Sequence, residues 1–268
     1  MITVPLWVIM ARLQEGCFPM LFRRLWRGSL IIVHLLLGMG QVYRAGGQRD
    51  PFHPAMRDTM RRWYERMLRI LNVEVDVIGI IPHEKNGATI MIANHISWVD
   101  IPLIGSQTPV NFLSKAEVAS WPLVGPLAVK IGTLFITRGS GDTDQVMQSM
   151  TERLQQNLSV LVFPEGTTTD GSKVRRFHKK LFRVCDGTDV NLCPLLIRYH
   201  ADGGLDPVPF VGDVTFGSHF WQLLGHRKIR ATIEVLPPVK LDAERVGHQM
   251  REIELAMREK LAAKALPN

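Results

Sequence analysis

A histidine and a carboxylate stand five positions apart in one short stretch of the chain, at His95 and Asp100. On a continuous helix, residues at this spacing differ by about 140° around the axis, whereas a turning loop can bring imidazole and carboxylate into hydrogen-bond contact. A carboxylate on one ring nitrogen fixes the tautomer and stabilises the imidazolium that forms when the other nitrogen takes a proton. The pair therefore suits general-base catalysis.

The same stretch also allows a structural interpretation. Ser97, followed three residues later by Asp100, matches a helix N-terminal capping box, and His95 could simply satisfy a buried backbone carbonyl. Ser97 is also a candidate nucleophile, but the chain has no Gly-x-Ser-x-Gly elbow, the turn that exposes the serine in α/β-hydrolases. A base is therefore favoured over a covalent nucleophile.

A second polar motif contains Glu165, Gly166 and Thr167, directly after the apolar run 159–163. His95 likewise comes just after an apolar run, residues 88–93. Short apolar runs with β-branched residues predict buried strands. Open α/β sheets bind ligands beyond the carboxyl ends of their strands, so we expect both motifs at a ligand-binding edge.

Taken in order, these motifs resemble the signature blocks of the glycerolipid acyltransferases. A further arginine, Arg138, ends a stretch similar to the family's second block, and Lys115 lies in a segment similar to its lysine-bearing segment. The resembling stretches are residues 94–100, 112–117, 132–138, 163–167 and 193–196. Several ordered blocks agree by chance far less often than one short motif does.

The resemblance implies an enzyme that moves a fatty acyl group from acyl-CoA or acyl carrier protein to the free hydroxyl of a lysophospholipid. The first expectation for the acceptor is 1-acyl-sn-glycerol-3-phosphate, which gives phosphatidic acid, and neither a cofactor nor a metal is implied. Residues 177–180 are Phe-His-Lys-Lys, where the family commonly has phenylalanine, lysine, any residue and glycine. This departure keeps another lysolipid, such as lyso-ornithine lipid, as an alternative acceptor.

Roles for the site residues follow from the resemblance together with their chemistry. His95 is the expected base and Asp100 its partner, whereas Glu165, Gly166 and Thr167 are expected to bind the acceptor. Glycine lets the backbone approach a ligand closely. Arg138 is expected to hold a substrate phosphate through two parallel hydrogen bonds and Lys115 to add a point charge, with a surface ion pair as the alternative for either residue.

Composition limits the other classes of function. The chain has 32 basic and 25 acidic residues and a formal charge of +7, which suits nucleic acid, anionic membranes or phosphate-bearing substrates. It has neither zinc-ligand spacing nor an RNA-binding aromatic block, so no nucleic-acid partner is expected. Cys17, Cys185 and Cys193 are too few and too far apart for a disulfide framework, which favours a reducing cytosolic location for the main domain.

Residues 1–45 predict a membrane-associated helical segment. The sixteen residues from Gly28 to Tyr43 are uncharged, fewer than the roughly twenty that cross a bilayer. We expect an anchor in one leaflet, made of a helix pair with residues 4–22 as its first member, on the cytoplasmic face of the inner membrane. A single span and a buried soluble helix are the alternatives. Basic residues flank the apolar run at both ends and give no inside-outside asymmetry.

An acyltransferase domain is expected over residues 57–268. Its fold class is predicted as α/β, a mixed central sheet flanked by helices. Helices are predicted at 54–71, 142–157 and 242–265, and strands at 73–78, 88–93, 110–115, 133–137, 159–163, 192–199 and 229–236. Pro194 lacks an N–H and is therefore expected at a sheet edge or a bulge. A non-catalytic membrane-binding protein remains the alternative from another class, with membrane lipids as its partner.

Overall fold

The structure is a computed structural model, and it describes most of the chain. The described residues are 19–44, 53–83, 86–121, 123–137, 143–185, 190–201, 208–242 and 244–263.

The described residues form a mixed sheet. Its strands in chain order are β1 (Val73–Ile78), β2 (Thr89–Ala93), β3 (Asn111–Lys115), β4 (Leu134–Ile136), β5 (Val160–Val162), β6 (Asn191–Ala201), β7 (Ile229–Val235) and β8 (Val239–Lys240). Their order across the sheet is β1-β7-β6-β2-β5-β3-β4, with β8 also paired to β6. Strands β2 to β6 run parallel, and β7 is antiparallel to β6. The predicted mixed α/β fold is confirmed.

Helices cover both faces of this sheet. They are α1 (Met20–Arg44), α2 (Pro54–Leu71), α3 (Asp100–Gly105), α4 (Val124–Lys130), α5 (Thr143–Gln155), α6 (Phe216–Leu224) and α7 (Val246–Ala263). Two short 3₁₀ helices, Ala116–Ser120 and Lys180–Cys185, complete the described elements.

All five residues of strand β2 are buried. This is why the run 88–93 is apolar throughout and does not alternate apolar with polar residues. Met91 and Ala93 face the hydrophobic layer formed with α2, α3 and α6. Ile90 and Ile92 face the opposite layer, formed with α5 and α7. A strand with helices over both faces must be apolar on both, and this places the end of β2 in the middle of the molecule.

Helix α1 is one continuous helix that begins earlier than the apolar run predicted. It starts at Met20 and includes Arg27, which is fully buried and donates to the carbonyls of Leu224, His226 and Arg227 at the end of α6. This arginine was expected to flank the anchor. It instead caps the carboxyl end of a helix, whose last carbonyls lack intrahelical donors. Residues 4–18 of the predicted first helix lie outside the described residues.

Pro194 lies in a central strand and not at the sheet edge, and the ladder beside it is interrupted as the alternative prediction of a bulge allows. It faces Ile92 of β2 on one side of β6. On the other side, the pairing with β7 begins at Leu195 and that with β8 begins at Leu192, so Pro194 stands opposite the interruption between the two partner strands. Its missing N–H therefore costs no ladder hydrogen bond.

Candidate active site

The loop between β2 and α3 brings His95 and Asp100 together. Nδ1 of His95 lies 2.7 Å from Oδ2 of Asp100. The carboxylate is fully buried, whereas the imidazole side chain is 19% exposed. An acceptor on Nδ1 puts the proton on that nitrogen and leaves Nε2 as the free lone pair. Among the described residues, Nε2 has no hydrogen-bond partner, so the predicted contact is confirmed with the second nitrogen available to a substrate.

Asp100 also performs the structural task that the capping-box pattern predicted. Its Oδ2 accepts from the backbone N–H groups of Ile96 at 2.8 Å and Ser97 at 3.0 Å, which closes the turn into α3. One carboxylate therefore orients the ring and closes the turn, although Val99 is the N-cap of α3 and no side-chain cap bond forms there. Ser97 itself is fully buried, which removes it as an exposed nucleophile.

The second oxygen of Asp100 has a partner that the sequence did not reveal. Oδ1 accepts from the hydroxyl of Tyr199, on β6, at 2.7 Å. Just before the dyad, the amide of buried Asn94 exchanges two hydrogen bonds with the backbone of Ile197, also on β6, at 3.0 and 2.7 Å. A tyrosine near the end of an apolar strand gives no signal beyond core packing, so Tyr199 was missed.

Glu165 follows β5 and lies under the same loop. Its Oε1 accepts from the backbone N–H of His95 at 2.9 Å, and its Oε2 accepts from that of Arg175 at 2.8 Å. Burial raises the pKa of this carboxyl, while the two amides and the nearby imidazole oppose that rise. Glu165 thus joins the stretches 94–100 and 163–167 through the backbone N–H of His95, and its role toward the acceptor hydroxyl stays a prediction.

Neighbouring contacts hold the His95 loop in place. The ring of His95 stacks on Phe163, with centroids 4.0 Å apart and planes 16° apart. The His95 carbonyl accepts from the backbone N–H of Thr169 at 2.8 Å. Thr168 donates its hydroxyl to the carbonyl of Phe210, whose own N–H donates to Ile96 at 2.9 Å. The imidazole therefore has little freedom to turn.

The other predicted substrate-binding residues are placed as follows. Gly166 adopts a positive φ of 67°, which favours glycine, in the turn after β5. Thr167 lies beside it and is half-buried. Lys115 is exposed at the carboxyl end of β3, two strands from β2 at the same sheet edge, and no described hydrogen bond joins it to the dyad. Arg138 lies outside the described residues.

The backbone of the basic segment 173–180, after Glu165, is held by helix α7. Phe177 donates its N–H to the buried carboxylate of Glu254, on α7, at 2.9 Å. Arg258, one turn further along α7, donates to the Val174 carbonyl at 3.0 Å. Within this segment Arg175 and Arg176 are exposed, and the described residues offer them no ion pair.

A family model described as Acyltransferase matches residues 74–198, which include the dyad, Glu165 and most of β6. A lyso-ornithine lipid O-acyltransferase of Pseudomonas aeruginosa is 40% identical over 215 residues, covering 80% of this chain and 82% of that protein. The chain belongs to the acyltransferase family. The resemblance to glycerolipid acyltransferases, drawn from the motifs, is thereby confirmed.

Two further relatives of this acyltransferase extend the comparison. The 1-acyl-sn-glycerol-3-phosphate acyltransferase of Neisseria meningitidis serogroup B is 28% identical over 170 residues, covering 63% of this chain and 66% of that protein. The crystal structure of the 1-acyl-sn-glycerophosphate acyltransferase from Thermotoga maritima matches with a TM-score of 0.68 at 21% identity, covering 92% of this chain and 97% of that one. The second match shows a shared fold.

Proposed function

We propose that this acyltransferase transfers a fatty acyl group from an acyl thioester to the free hydroxyl of a lysolipid, with His95 as general base. The observation that supports the proposal is the 2.7 Å contact of His95 Nδ1 with a fully buried carboxylate, which leaves Nε2 to the substrate. Acyl-CoA and acyl carrier protein are the proposed donors. No covalent acyl-enzyme is needed, because the acceptor itself supplies the nucleophile.

His95 carries one proton from the acceptor hydroxyl to the leaving thiolate, and this transfer balances the reaction. Nε2 of His95 takes the hydroxyl proton as the oxygen attacks the thioester carbonyl, and Asp100 stabilises the imidazolium. The tetrahedral intermediate then collapses, the carbon–sulfur bond breaks, and the imidazolium returns its proton to the leaving thiolate. The products are an ester on the lysolipid and the free thiol of the carrier.

Replacement of the base tests this mechanism. We expect His95→Ala to lower kcat at least about a hundredfold, because a positioned general base typically contributes 10² to 10⁴. The matched control is His200→Ala, since His200 is exposed on β6 and has no described contact with the dyad. Turnover is measured as free thiol released from palmitoyl-CoA. A His95→Ala enzyme within about tenfold of wild type would refute the proposal.

Lyso-ornithine lipid is the proposed acceptor. The 40% identity to a lyso-ornithine lipid O-acyltransferase extends over 80% of this chain, well beyond the motifs that all family members share. The departure from the family pattern at residues 177–180 points in the same direction. The sequence alone placed 1-acyl-sn-glycerol-3-phosphate first, and the identity to this relative supports placing lyso-ornithine lipid before it.

The second candidate acceptor is 1-acyl-sn-glycerol-3-phosphate. Exposed Arg175 and Arg176, next to Glu165 and without a described ion pair, favour a phosphate-bearing headgroup. An acceptor panel assayed by mass spectrometry separates the two candidates. The expected product with palmitoyl-CoA is ornithine lipid, and phosphatidic acid formed at the higher kcat/KM would instead assign the second acceptor.

We also propose that the enzyme works at the cytoplasmic face of the inner membrane. The stretch Met20–Val42 of α1 is long and apolar enough to cross a membrane. Only 28% of its apolar window is buried inside the protein. Both candidate acceptors and the ester product reside in a bilayer. Purified protein that binds vesicles but consumes no acyl donor would instead indicate the non-catalytic alternative.

A further inference from the structure

We infer that Tyr199 is a positioning residue for the His95–Asp100 pair, and that it acts through the second oxygen of the carboxylate. The inference rests on the proposed role of His95 and adds a residue from outside the motif loops. Tyr199 is 7% exposed, and its hydroxyl lies 2.7 Å from Oδ1 of Asp100, 99 positions away along the chain.

The sheet explains how a distant tyrosine reaches this carboxylate. Strand β6 pairs with β2 as far as Ala93 and Leu195, and then continues beyond the end of β2 to Ala201. Leu195, Ile197 and Tyr199 alternate onto the face that packs against α3, the helix that Asp100 begins. The overhang of β6 therefore lies directly against the loop after β2.

Asn94 fixes the register of this overhang. Its side chain exchanges two hydrogen bonds with the backbone of Ile197, at 3.0 and 2.7 Å. A slip of β6 by one residue would turn Tyr199 to the opposite face of the sheet. The loop that carries the dyad thus also sets the position of the hydroxyl that supports it.

The hydroxyl has a specific electrostatic effect on Asp100. The Oδ2 atom accepts from His95 and from two backbone amides, so Oδ1 would be buried without a described donor if Tyr199 were removed. A donor on Oδ1 holds the plane of the carboxylate and withdraws part of the negative charge from Oδ2. Loss of this donor would allow the carboxylate to tilt and would concentrate charge beside the imidazole.

Tyr199→Phe tests the inference because it removes one oxygen and keeps the ring. We expect kcat to fall about ten- to a hundredfold, as for outer hydrogen-bond partners of functional histidines at metal sites, with KM for both substrates unchanged. The acidic limb of the pH profile of kcat/KM should move to higher pH, because the carboxylate then stabilises the imidazolium more strongly.

Tyr64→Phe is the matched control. Tyr64 is also buried, but its ring packs near Gly105 and Phe112, and no described hydrogen bond joins it to the dyad. Its loss of a hydroxyl should leave the pH limb in place. A Tyr199→Phe enzyme with the kcat and pH profile of the control would overturn the inference. A Tyr199→Phe enzyme that loses as much melting temperature as Tyr64→Phe, with unchanged kcat and pH profile, would overturn it as well.

A double-mutant cycle shows whether Tyr199 acts through Asp100. In an Asp100→Ala background, Tyr199→Phe should change kcat less than about twofold, since its target is absent. An equal fold-loss in both backgrounds would assign Tyr199 a separate role and contradict the inference.

A spectroscopic measurement separates this inference from the proposed function. Proton NMR would detect the resonance of the His95 Nδ1 proton, which is assigned by its absence in His95→Ala. This resonance should shift in Tyr199→Phe and keep its position in Tyr64→Phe, even in a protein that turns over no acyl thioester. Absence of turnover in the wild type would refute the function, whereas an unmoved resonance in Tyr199→Phe would refute the positioning role.

Discussion

At the scale of single residues, Glu165 connects two loops through one carboxylate. Both of its oxygens accept backbone N–H groups, from His95 and from Arg175. Glutamine can replace only one of these acceptors, because its amide nitrogen is a donor. The glutamate is therefore needed for the shape of the site, in addition to any contact with the acceptor.

Glu165→Gln should change how stability depends on pH. Burial raises the pKa of Glu165 above its ordinary value of 4.5, so the folded protein keeps this proton to a higher pH than the unfolded chain. The free energy of unfolding from this group is then greatest at low pH and falls as pH rises from about 4.5 through the raised value. We expect melting temperatures measured from about pH 4 to 7 to decline less with rising pH in Glu165→Gln than in wild type.

Glu117→Gln is the control, since Glu117 is an exposed glutamate on the 3₁₀ helix after β3. Parallel pH dependences in wild type and Glu165→Gln would show that Glu165 holds no extra proton in the folded state.

The site residues differ in how far sequence alone could find them. The contact of His95 with Asp100 was predictable because both residues lie on one loop that cannot be helical throughout. The contact of Asp100 with Tyr199 was not, because it joins residues 99 positions apart and depends on how far β6 extends beyond β2. The local sequence pattern predicts contacts within one loop, whereas the register of strands far apart in the sequence is known only once the sheet is assembled.

At the scale of elements, the packing of α1 on α2 uses a close approach at Gly38. A Cβ at this position would lie 2.5 Å from Nε1 of Trp63. That indole donates to the carbonyl of His34, and its ring stacks on the His34 ring with centroids 4.6 Å apart. The two helices therefore meet through a tight contact.

Gly38→Ala should destabilise the enzyme by about 1–3 kcal/mol, because Trp63 must move away from His34. Gly40→Ala is the matched control two residues along α1, where an added Cβ meets nothing within 4 Å. In an exposed helix interior this second change is expected to stabilise by up to about 1 kcal/mol. Thermal unfolding in detergent measures both, and a gain in stability from both changes would contradict the close approach of Gly38 to Trp63.

Helices were predicted correctly where apolar residues recur at regular helical spacing. Predictions were wrong at positions that depend on contacts with other helices and strands. Helix α2 was predicted at 54–71 and spans Pro54–Leu71, because its apolar residues recur at helical spacing. The start of α1 was placed too late, since arginines usually end an apolar run. The buried position of Arg27 against the end of α6 could not be seen without the fold.

At the scale of the whole molecule, exposed apolar side chains concentrate on α1. Ile32 is 54% exposed and Leu36 is 56% exposed, one turn apart on the same helix face. Helix α7 lies on the other side of the sheet. A membrane on the α1 side would cover these side chains while leaving α7 in water.

Ile32→Gln and Leu36→Gln should each weaken binding to phosphatidylglycerol-containing vesicles about tenfold, the loss expected when one large aliphatic side chain no longer enters the bilayer. Leu255→Gln is the control, since Leu255 is an exposed leucine on α7. Vesicle co-sedimentation measures the partition coefficients. Equal binding of all three variants and wild type would exclude this face of α1 from membrane contact.

The guanidinium of Arg27 has a practical consequence for anyone who shortens this protein to make it soluble. Truncation at residue 45 would take away the buried guanidinium that donates to three carbonyls at and just after the end of α6. Helix α1 is thus part of the packed domain, and extraction of the full chain with a mild detergent is a better route to pure enzyme than truncation.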